Sequence, residues 1–442
     1  MTFNKLALWF IFLLNILGVI FFINGSDIFG ALLIFLGQFF YAFTKLYKID
    51  QGFYFQDIRL LFTIFYFLYG SVLPAYLIFS SDNALGIYLS EGSTGYSGVV
   101  SALLLYALGF FGLNLAFTLQ PIAWLNSKFP LPGSINATPG LMLLLLVVVT
   151  VIGYAAANGT TFALSIDKGN RGEMFDQLWV VLIFILSGIF MYFIALYRYL
   201  STFSRVNLYI YSSAFMMFML MIGDRRDFLP IILFGLAIRA TQLDLKLGPK
   251  QILWLCFIFI AFLSIGFLRN WENVADIHPF KEIFKSNEFI FPIQTLIYYV
   301  NSDNWTLHFG ESYLRAPIYF IPRALWDGKP ISLAIQFLID YVGTANWQGY
   351  AYTPVTEAYV NFFWFGPLFI MFLLGLLMNS MVKNWKKYPA IYFICLAYAL
   401  DFNRGEFASH IYGLLLVWCS YKLTELVCRP TTQQARNSVT KS

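Results

Sequence analysis

Long uninterrupted runs of apolar residues are the feature that most restricts what this chain can fold into. Stretches such as ALWFIFLLNILGVIFFI and LMLLLLVVVTVIGYAAA approach the ~20 residues that a helix needs to cross the hydrocarbon core of a bilayer. Of the 442 residues, 59% are hydrophobic and only 12% are charged, which excludes a soluble domain of this length. The sequence therefore predicts a single all-α, polytopic integral membrane domain over residues 1–442.

About twelve transmembrane helices are predicted from these runs. The first run lacks a small-residue cleavage site, so we expect a first span there and no cleavable signal peptide. The eighth and eleventh runs are short, and short spans in a membrane protein often accompany a buried binding site. The predicted spans begin near Leu6, Ile28, Leu60, Val99, Leu141, Leu178, Leu208, Phe228, Ile252, Ala358, Ile391 and Phe407.

The distribution of Lys and Arg predicts how the chain is oriented. Short cytoplasmic loops are enriched in these residues. With a cytoplasmic N-terminus, the inner segments carry 17 of the 28 basic residues, while 19 of the 23 acidic residues fall outside. Both termini are therefore predicted to be cytoplasmic. One large loop, residues 269–356 between the ninth and tenth spans, is predicted to lie on the outer face.

This large outer loop is predicted to be partly helical. PIQTLIYYV and ISLAIQFLIDYV have helix-like apolar spacing, and between them lies LRAPIYFIPRALWDGKP, which is interrupted by prolines. So long a loop is usually functional or disordered, and its four tryptophans argue against disorder. We expect a folded outer lid or half-embedded element. If the proline-containing stretch is helical, Arg315 and Arg323, eight residues apart, point to the same side.

Arginine is also prominent in two other outward turns, MIGDRRDFLP and LDFNRGEFASH, each directly before a helix. A helix N-terminus offers free N–H groups and the positive end of its dipole to an anion. The guanidinium fork can bond two oxygens of a diphosphate. Alternatively, these arginines pair with adjacent acids or extend to the membrane edge. The candidate diphosphate-binding residues are Arg225, Arg226, Arg315, Arg323 and Arg404.

The order of these motifs resembles that of the Wzy-type polymerases, which join repeat units of bacterial surface polysaccharides such as O-antigen. The matching features are the GDRRD turn, the loop containing LRAPIYFIPRALWDGKP, TPVTEAYVNFFWFGP at the next span, and a late RGE. The resemblance covers roughly residues 223–410. It implies a GT-C-like, all-helical, inverting glycosyltransferase on the periplasmic face of the bacterial inner membrane.

The resemblance also implies the substrates. The growing chain is transferred from undecaprenyl diphosphate to an incoming undecaprenyl-diphosphate-linked repeat unit, for O-antigen or a related surface polysaccharide. Inner-membrane lipid is a further partner and a chain-length-regulating co-polymerase is a candidate one, whereas no nucleic acid, cofactor or metal is implied. In agreement, the sequence has no GxGxxG or GxxxxGK[ST] loop and no DxD pair on an outer segment. Arginine would then meet the diphosphate charge in place of Mg²⁺.

Three residues are candidates for the catalytic base that deprotonates the acceptor hydroxyl. Glu357 lies where the loop re-enters the membrane, and burial there would raise its pKa into a useful range. Alternatively, it is an ordinary interface carboxylate or the structural partner of an arginine. Glu406 and His410, four apart on one predicted helical face, are the other two candidates. His278 and His308 also lie in the loop, where a lone histidine is more often structural.

Aromatic residues of the loop could stack on sugar rings, although such residues are also normal anchors at a membrane edge. The candidate sugar-binding or lid residues are Tyr319, Trp326, Lys329 and Trp347.

Two other functions remain open. A flippase or transporter of lipid-linked sugars would also suit twelve spans, but the halves show no internal repeat and charge is concentrated in one outer loop. An O-antigen ligase would share the donor chemistry, and it typically relies on a histidine in its long outer loop.

Overall fold

A computed structural model describes the chain as a set of helices with connecting turns. The described residues are 3–25, 27–79, 96–124, 135–157, 177–200, 202–222, 228–243, 245–248, 289, 291–302, 305–321, 325–326, 328–342 and 351–429. Within these ranges no strand occurs, and one isolated bridge joins Tyr54 to Lys246. The predicted all-α class is therefore confirmed.

Most of the helices coincide with the predicted apolar runs. The N-terminal ones are α1 Phe3–Ile23, α2 Asp27–Asp50, α3 Ile58–Phe79, α4 Tyr96–Leu119, α5 Thr138–Ala157, α6 Gln177–Leu196, α7 Thr202–Ile222 and α8 Leu229–Leu243. The later ones are α9 Phe291–Asn301, α10 Glu311–Leu314, α11 Leu333–Phe337, α12 Pro354–Phe362, α13 Phe365–Asn384, α14 Pro389–Ala397 and α15 Phe407–Cys428.

Five of the described helices are long and apolar enough to cross a membrane, which confirms a membrane-embedded protein. They run over Asp27–Asp50, Ile58–Ile78, Gly98–Leu119, Phe365–Asn384 and Phe407–Cys428. Four shorter apolar helices are Trp9–Ile23, Thr138–Gly153, Val181–Leu196 and Leu229–Leu243. The finer expectation of twelve spans is not established, and the predicted ninth span from Ile252 lies outside the described residues.

One predicted span differs from the structure in its position, and another is as short as its apolar run indicated. The tenth was placed from Ala358, but α12 ends at Phe362 and the span-length helix α13 begins only at Phe365. Phe363 between them has φ 56° and ψ −145°, a backbone conformation that is normally restricted to glycine. The eleventh is only the nine-residue α14, about 13 Å long, which is less than half of the hydrocarbon thickness.

The described part of the predicted outer loop is partly helical, as expected. PIQTLIYYV lies in α9, and ISLAIQFLIDYV contains α11 followed by a π-helical turn, Leu338–Val342. The stretch between them does not form the helix that would point Arg315 and Arg323 to one side. Helix α10 ends at Leu314, a 3₁₀-helix covers Ala316–Phe320, and Ile321 is extended. Pro317 accounts for the change, because its ring and missing N–H prevent an α-helix from continuing through it.

The chain divides into two units. Unit 1 contains Met1–Leu125, Leu245–Asn384 and Ala399–His410, and unit 2 contains Asn126–Asp244, Trp385–Tyr398 and Ile411–Ser442. In unit 1, α4 packs along α13, and a methyl group added at Gly375 would lie 2.6 Å from Cβ of Ala116. Small residues allow this close helix–helix approach, as is typical within membranes. In unit 2, α8 packs against α6 and α14. The backbone amide of Asn136 donates a hydrogen bond to the carbonyl of Cys428 at 2.8 Å.

A buried ionic cluster joins three helices of unit 1. The side chain of Arg59 has no exposed surface, and its Nη2 donates to Oδ2 of Asp57 at 2.7 Å and of Asp50 at 3.0 Å. Its Nη1 donates to the carbonyl of Ile122 at 2.6 Å and contacts Oδ1 of Asn379 on α13 at 3.4 Å. Arg59 is therefore a crosslink inside the protein.

We expect Arg59→Ala to destabilise the protein by about 3–5 kcal/mol, because removing one partner of a buried ion pair leaves uncompensated carboxylates. Thermal unfolding of the purified protein in detergent measures this change. Arg429→Ala is the matched control, since Arg429 is a 59% exposed arginine that pairs with Glu425 on the surface, where such a pair contributes about 0–1 kcal/mol. Equal losses for the two variants would contradict the crosslinking role.

Candidate functional site

Glu357 lies in the first turn of α12, and the local sequence determines that position. In TPVTE, Thr353 is the N-cap: its hydroxyl accepts a hydrogen bond from the amide of Thr356 at 3.1 Å, and Pro354 follows at the first helical position. Both residue types favour helix initiation at those positions. Glu357 comes three residues after Pro354 and is only 1% exposed.

Both carboxylate oxygens of Glu357 have hydrogen-bond partners. Oε1 lies 2.6 Å from the hydroxyl of Ser312, and Oε2 accepts from the amide of Phe407 at 2.7 Å. The Asn361 amide group donates to the Ser312 hydroxyl at 2.8 Å and accepts from the amide of Gly310 at 2.9 Å. These bonds connect the loop at residues 310–312, helix α12 and the start of α15.

Glu406, the acid of the RGE turn, has an equivalent arrangement. One of its oxygens accepts a bond from the hydroxyl of Tyr319, and the other accepts from the amide of Leu333 at 2.6 Å. Lys329 is buried and lies over the Tyr319 ring, 5.3 Å from its centroid, with Nζ donating to the Tyr319 carbonyl at 3.0 Å. Three candidates from the sequence, Glu406, Tyr319 and Lys329, therefore come together.

The two carboxylates share one structural role. Glu357 receives the amide of Phe407, the first residue of α15, and Glu406 receives the amide of Leu333, the first residue of α11. The first amides of a helix lack partners within it and form the positive end of the helix dipole. Each acid therefore stabilises a helix from another part of the chain and holds the loop in place.

The buried positions of the two carboxyl groups change their acidity. Burial raises the pKa of Glu357 from 4.5 to about 8, while its bonds from Ser312 and Phe407 and the charge of Arg315 act in the opposite direction. Burial also raises the pKa of Glu406, against the bonds from Tyr319 and Leu333. Glu357 lies outside the five candidate spans and carries a proton at neutral pH. With both oxygens bonded, it has the geometry of the structural alternative more than that of a free base.

Arg315 is the cation closest to this network among the described arginines. Its Nη2 lies 2.8 Å from Oε1 of Glu311, and 12% of its side chain is exposed. Its charge opposes the rise in pKa that burial imposes on three neighbouring groups, Glu357, Glu406 and Tyr319. Arg315 therefore lies between a buried acidic network and the surface, with an orientation that Glu311 holds.

His308 is a functional candidate to which sequence reasoning gave little weight. It is half-buried, and its backbone amide bonds the carbonyl of Val360 at 3.0 Å, so that α12 fixes its position. Burial lowers the pKa of His308, and the charge of Arg315 lowers it further, against a smaller effect of Glu311. The imidazole is therefore neutral at pH 7. Its proximity to Arg315, seven residues later, depends on the turn at residues 308–311, which no sequence pattern indicates.

Three candidates, Arg404, Glu406 and His410, lie in the RGE turn or directly after it. Glu406 directly precedes α15, and His410 lies in its first turn. Their side chains have different partners, however, because the His410 ring stacks on Phe402, with centroids 5.1 Å apart, and lies against Gly405. Arg404 is half-buried, with its amide bonded to the carbonyl of Asp401 at 2.7 Å. Glu406 is therefore held by Tyr319 and Leu333, whereas the His410 ring packs on Phe402.

The other candidates are more dispersed. Trp326 is 40% exposed at the far end of the loop stretch. Arg225, Arg226, Arg323 and Trp347 lie outside the described residues. Among the residues that are described, no group of three or more His, Cys, Asp or Glu could hold a metal ion.

No protein-family model matches this chain, and neither a curated protein nor a solved structure matches it.

The raised pKa of Glu357 predicts how stability depends on pH. The folded state holds this proton up to about pH 8, whereas the unfolded state releases it near pH 4.5. The contribution of Glu357 to the free energy of unfolding is therefore complete below pH 4.5. It is lost as pH rises towards 8, with a slope of up to about 1.4 kcal/mol per pH unit. Glu357→Gln, which imitates the protonated acid, should fold and remove this contribution.

Unfolding temperatures measured between pH 5 and 8 test this expectation. Glu311→Gln is the control, because Arg315 lowers the pKa of the exposed Glu311 from 4.5, so that this group is ionised in both states between pH 5 and 8 and its replacement should leave the pH slope unchanged. An unchanged pH slope in Glu357→Gln would mean that Glu357 is ionised in the folded protein.

Proposed function

We propose that this chain is a membrane glycosyltransferase that polymerises lipid-linked oligosaccharide repeat units in the bacterial inner membrane. Both termini are cytoplasmic in this proposal, and the site around Arg315 faces the periplasm. The donor is the growing chain on undecaprenyl diphosphate, and the acceptor is a sugar hydroxyl of an incoming repeat unit on the same carrier. The observation that carries the proposal is the position of Arg315, partly exposed beside a neutral histidine in a segment that two buried acids hold in place.

Each group near Arg315 has a chemical role in this reaction. The bond between C1 of the donor sugar and the diphosphate oxygen breaks, and its electron pair remains on the diphosphate. Arg315 bonds this leaving group, whose charge grows in the transition state, and so stabilises that state more than the ground state. The acceptor oxygen attacks C1 from the opposite face, which inverts the configuration, and its proton passes to His308.

Glu357, Glu406, Tyr319 and Lys329 act as positioning residues in this proposal. Three hydrogen bonds, from Ser312 to Glu357, from Tyr319 to Glu406 and from Lys329 to the Tyr319 carbonyl, support the segment that carries His308 and Arg315. Positions held to within a fraction of an ångström are needed for such a transfer, because small displacements of catalytic groups lower the rate strongly.

A ligase that moves finished chains to lipid A core is the second candidate, and His308 is the observation that favours it. Such an enzyme would use the same donor diphosphate, Arg315 and histidine, and it would differ only in the acceptor. Purified protein in lipid nanodiscs, given lipid-linked repeat units with or without lipid A core, distinguishes the two functions. A ladder of products from repeat units alone indicates a polymerase. No covalent product with either acceptor would favour a transporter.

We expect Arg315→Lys to lower polymer formation by about 10²-fold or more, because lysine retains the charge but loses the two-pronged bonding of the diphosphate. Gel analysis of the product ladder measures the loss. Arg429→Lys makes the same exchange at an exposed surface pair and should retain wild-type activity. Full activity in Arg315→Lys would place the diphosphate elsewhere.

A pH–rate profile separates the two candidate bases. Because the pKa of His308 is lowered from 6.5, the wild-type rate should fall only below that value. His308→Gln should remove this acidic limb and lower the rate by about 10²–10⁴-fold. Glu357→Gln, which keeps the shape of the side chain and one acceptor oxygen, should remain active. The opposite pattern, an active His308→Gln and an inactive Glu357→Gln, would make Glu357 the base.

A further inference from the structure

The described residues 309–321, 325 and 326 form a segment that turns large apolar side chains outward. Leu314 is 75% exposed, and Phe309 and Leu325 are exposed to a similar extent. Isolated exposed apolar residues are common on any protein, whereas a dense group of them marks a surface that something covers. We name this group the apolar ridge, and its members are Phe309, Leu314, Phe320, Ile321, Leu325 and Trp326.

The apolar ridge adjoins a surface that faces lipid. Helix α13 is a candidate membrane span, and it exposes one stripe of apolar residues at four-residue spacing: Phe365, Phe369, Leu373 and Leu377. Aromatic contacts connect the two surfaces. The Tyr313 ring of α10 is stacked on Phe362 with centroids 6.2 Å apart, and Phe362 meets Phe369 edge-on at 6.4 Å.

The backbone of this segment meets the requirement for lying in lipid. A polar backbone group without a partner is very costly in hydrocarbon, so such a segment must satisfy its own groups. The amide of Gly310 bonds Asn361, that of Ile318 bonds the carbonyl of Arg315 at 2.9 Å, and that of Ile321 bonds the carbonyl of Ile318 at 3.0 Å. Pro317 has no N–H to satisfy.

The charged groups of the segment have the environment expected for side chains that lie in the headgroup region of a bilayer. The exposed carboxylate of Glu311 is neutralised by Arg315 at 2.8 Å. Lys329 is buried beneath the segment against Tyr319. Trp326, 40% exposed at its end, is a residue type that prefers the boundary between acyl chains and headgroups.

We propose that this segment, residues 309–321, 325 and 326, is embedded in the adjoining leaflet of the bilayer. The apolar ridge enters the acyl chains, and the Arg315–Glu311 pair lies among the headgroups, as in an interfacial membrane element. The occupant of the surface is bilayer lipid, and the inference does not depend on the reaction proposed above. It means that an amphiphile with an anionic head reaches Arg315 sideways, from within the membrane.

Depth-dependent fluorescence quenching tests this placement. A fluorophore is attached to Leu314→Cys or Leu325→Cys, in a background with alanine in place of the four native cysteines, in vesicles of phosphatidylcholine and phosphatidylglycerol. Doxyl-labelled phosphatidylcholine quenches from the bilayer, and iodide quenches from water. Leu373→Cys on the lipid-facing stripe is the membrane reference, and the exposed Lys386→Cys is the aqueous reference.

We expect doxyl lipid to quench the fluorophore at both sites and the bilayer to protect it from iodide. Both values should be closer to those of the Leu373 reference than to those of the Lys386 reference. Values closer to the Lys386 reference at both sites would overturn the proposal. Should the cysteine-free background fail to fold, a photo-crosslinking benzoylphenylalanine at Phe320 in the natural chain gives a second readout. Phospholipid adducts found by mass spectrometry would then support the placement, and their absence at Phe320 beside their presence at Phe369 would refute it.

Discussion

Two buried carboxylates hold the candidate site together, and the geometry of the segment around them depends on their hydrogen bonds. Glu357 and Glu406 come from separate helices and turns, and each receives the first amide of a further helix. In apolar surroundings a free helix end is costly, because no water replaces the missing bond. The acids satisfy these ends and at the same time connect the proline-containing stretch, through Ser312 and Tyr319, to the helices beneath it.

This arrangement separates positioning from chemistry. A carboxyl with a pKa near 8, 1% exposure and both oxygens bonded cannot readily accept a proton from a substrate. The groups that retain exposure are Arg315 and His308, and the first lowers the pKa of the second. The desolvation that makes Glu357 a poor base also makes it a firm attachment, since breaking its bonds would leave buried polar groups without partners.

Hydropathy predicted those features of the fold that depend on local sequence alone. The apolar runs indicated the membrane class, and two helices of the large loop followed from their apolar spacing. Other features depend on contacts between residues far apart in the chain. Glu357 meets Ser312 across 45 residues and Phe407 across 50, distances over which periodicity carries no information. The helix break at Phe363 requires a backbone conformation that its residue type disfavours, so no propensity rule predicts it. The helix that would have pointed Arg315 and Arg323 to one side does not form, because Pro317 replaces it by a 3₁₀ turn and an extended residue.

Helix α13 explains how a site in a loop is held firmly in unit 1. Near its C-terminal end, Asn379 contacts Arg59 of the ionic cluster and bonds two carbonyls of the α4 region, those of Ala116 and Gln120. At its start, Gly366 lies so close to the Ala358 carbonyl that no larger residue would fit, which presses α13 against the helix that carries Glu357. The two contacts are 13 residues, or about 20 Å, apart along one helix. The ionic cluster and the carboxylate network therefore act on the same continuous helix. These two sets of polar groups therefore fix helices of unit 1, and Arg315 and His308 lie at the edge of that framework.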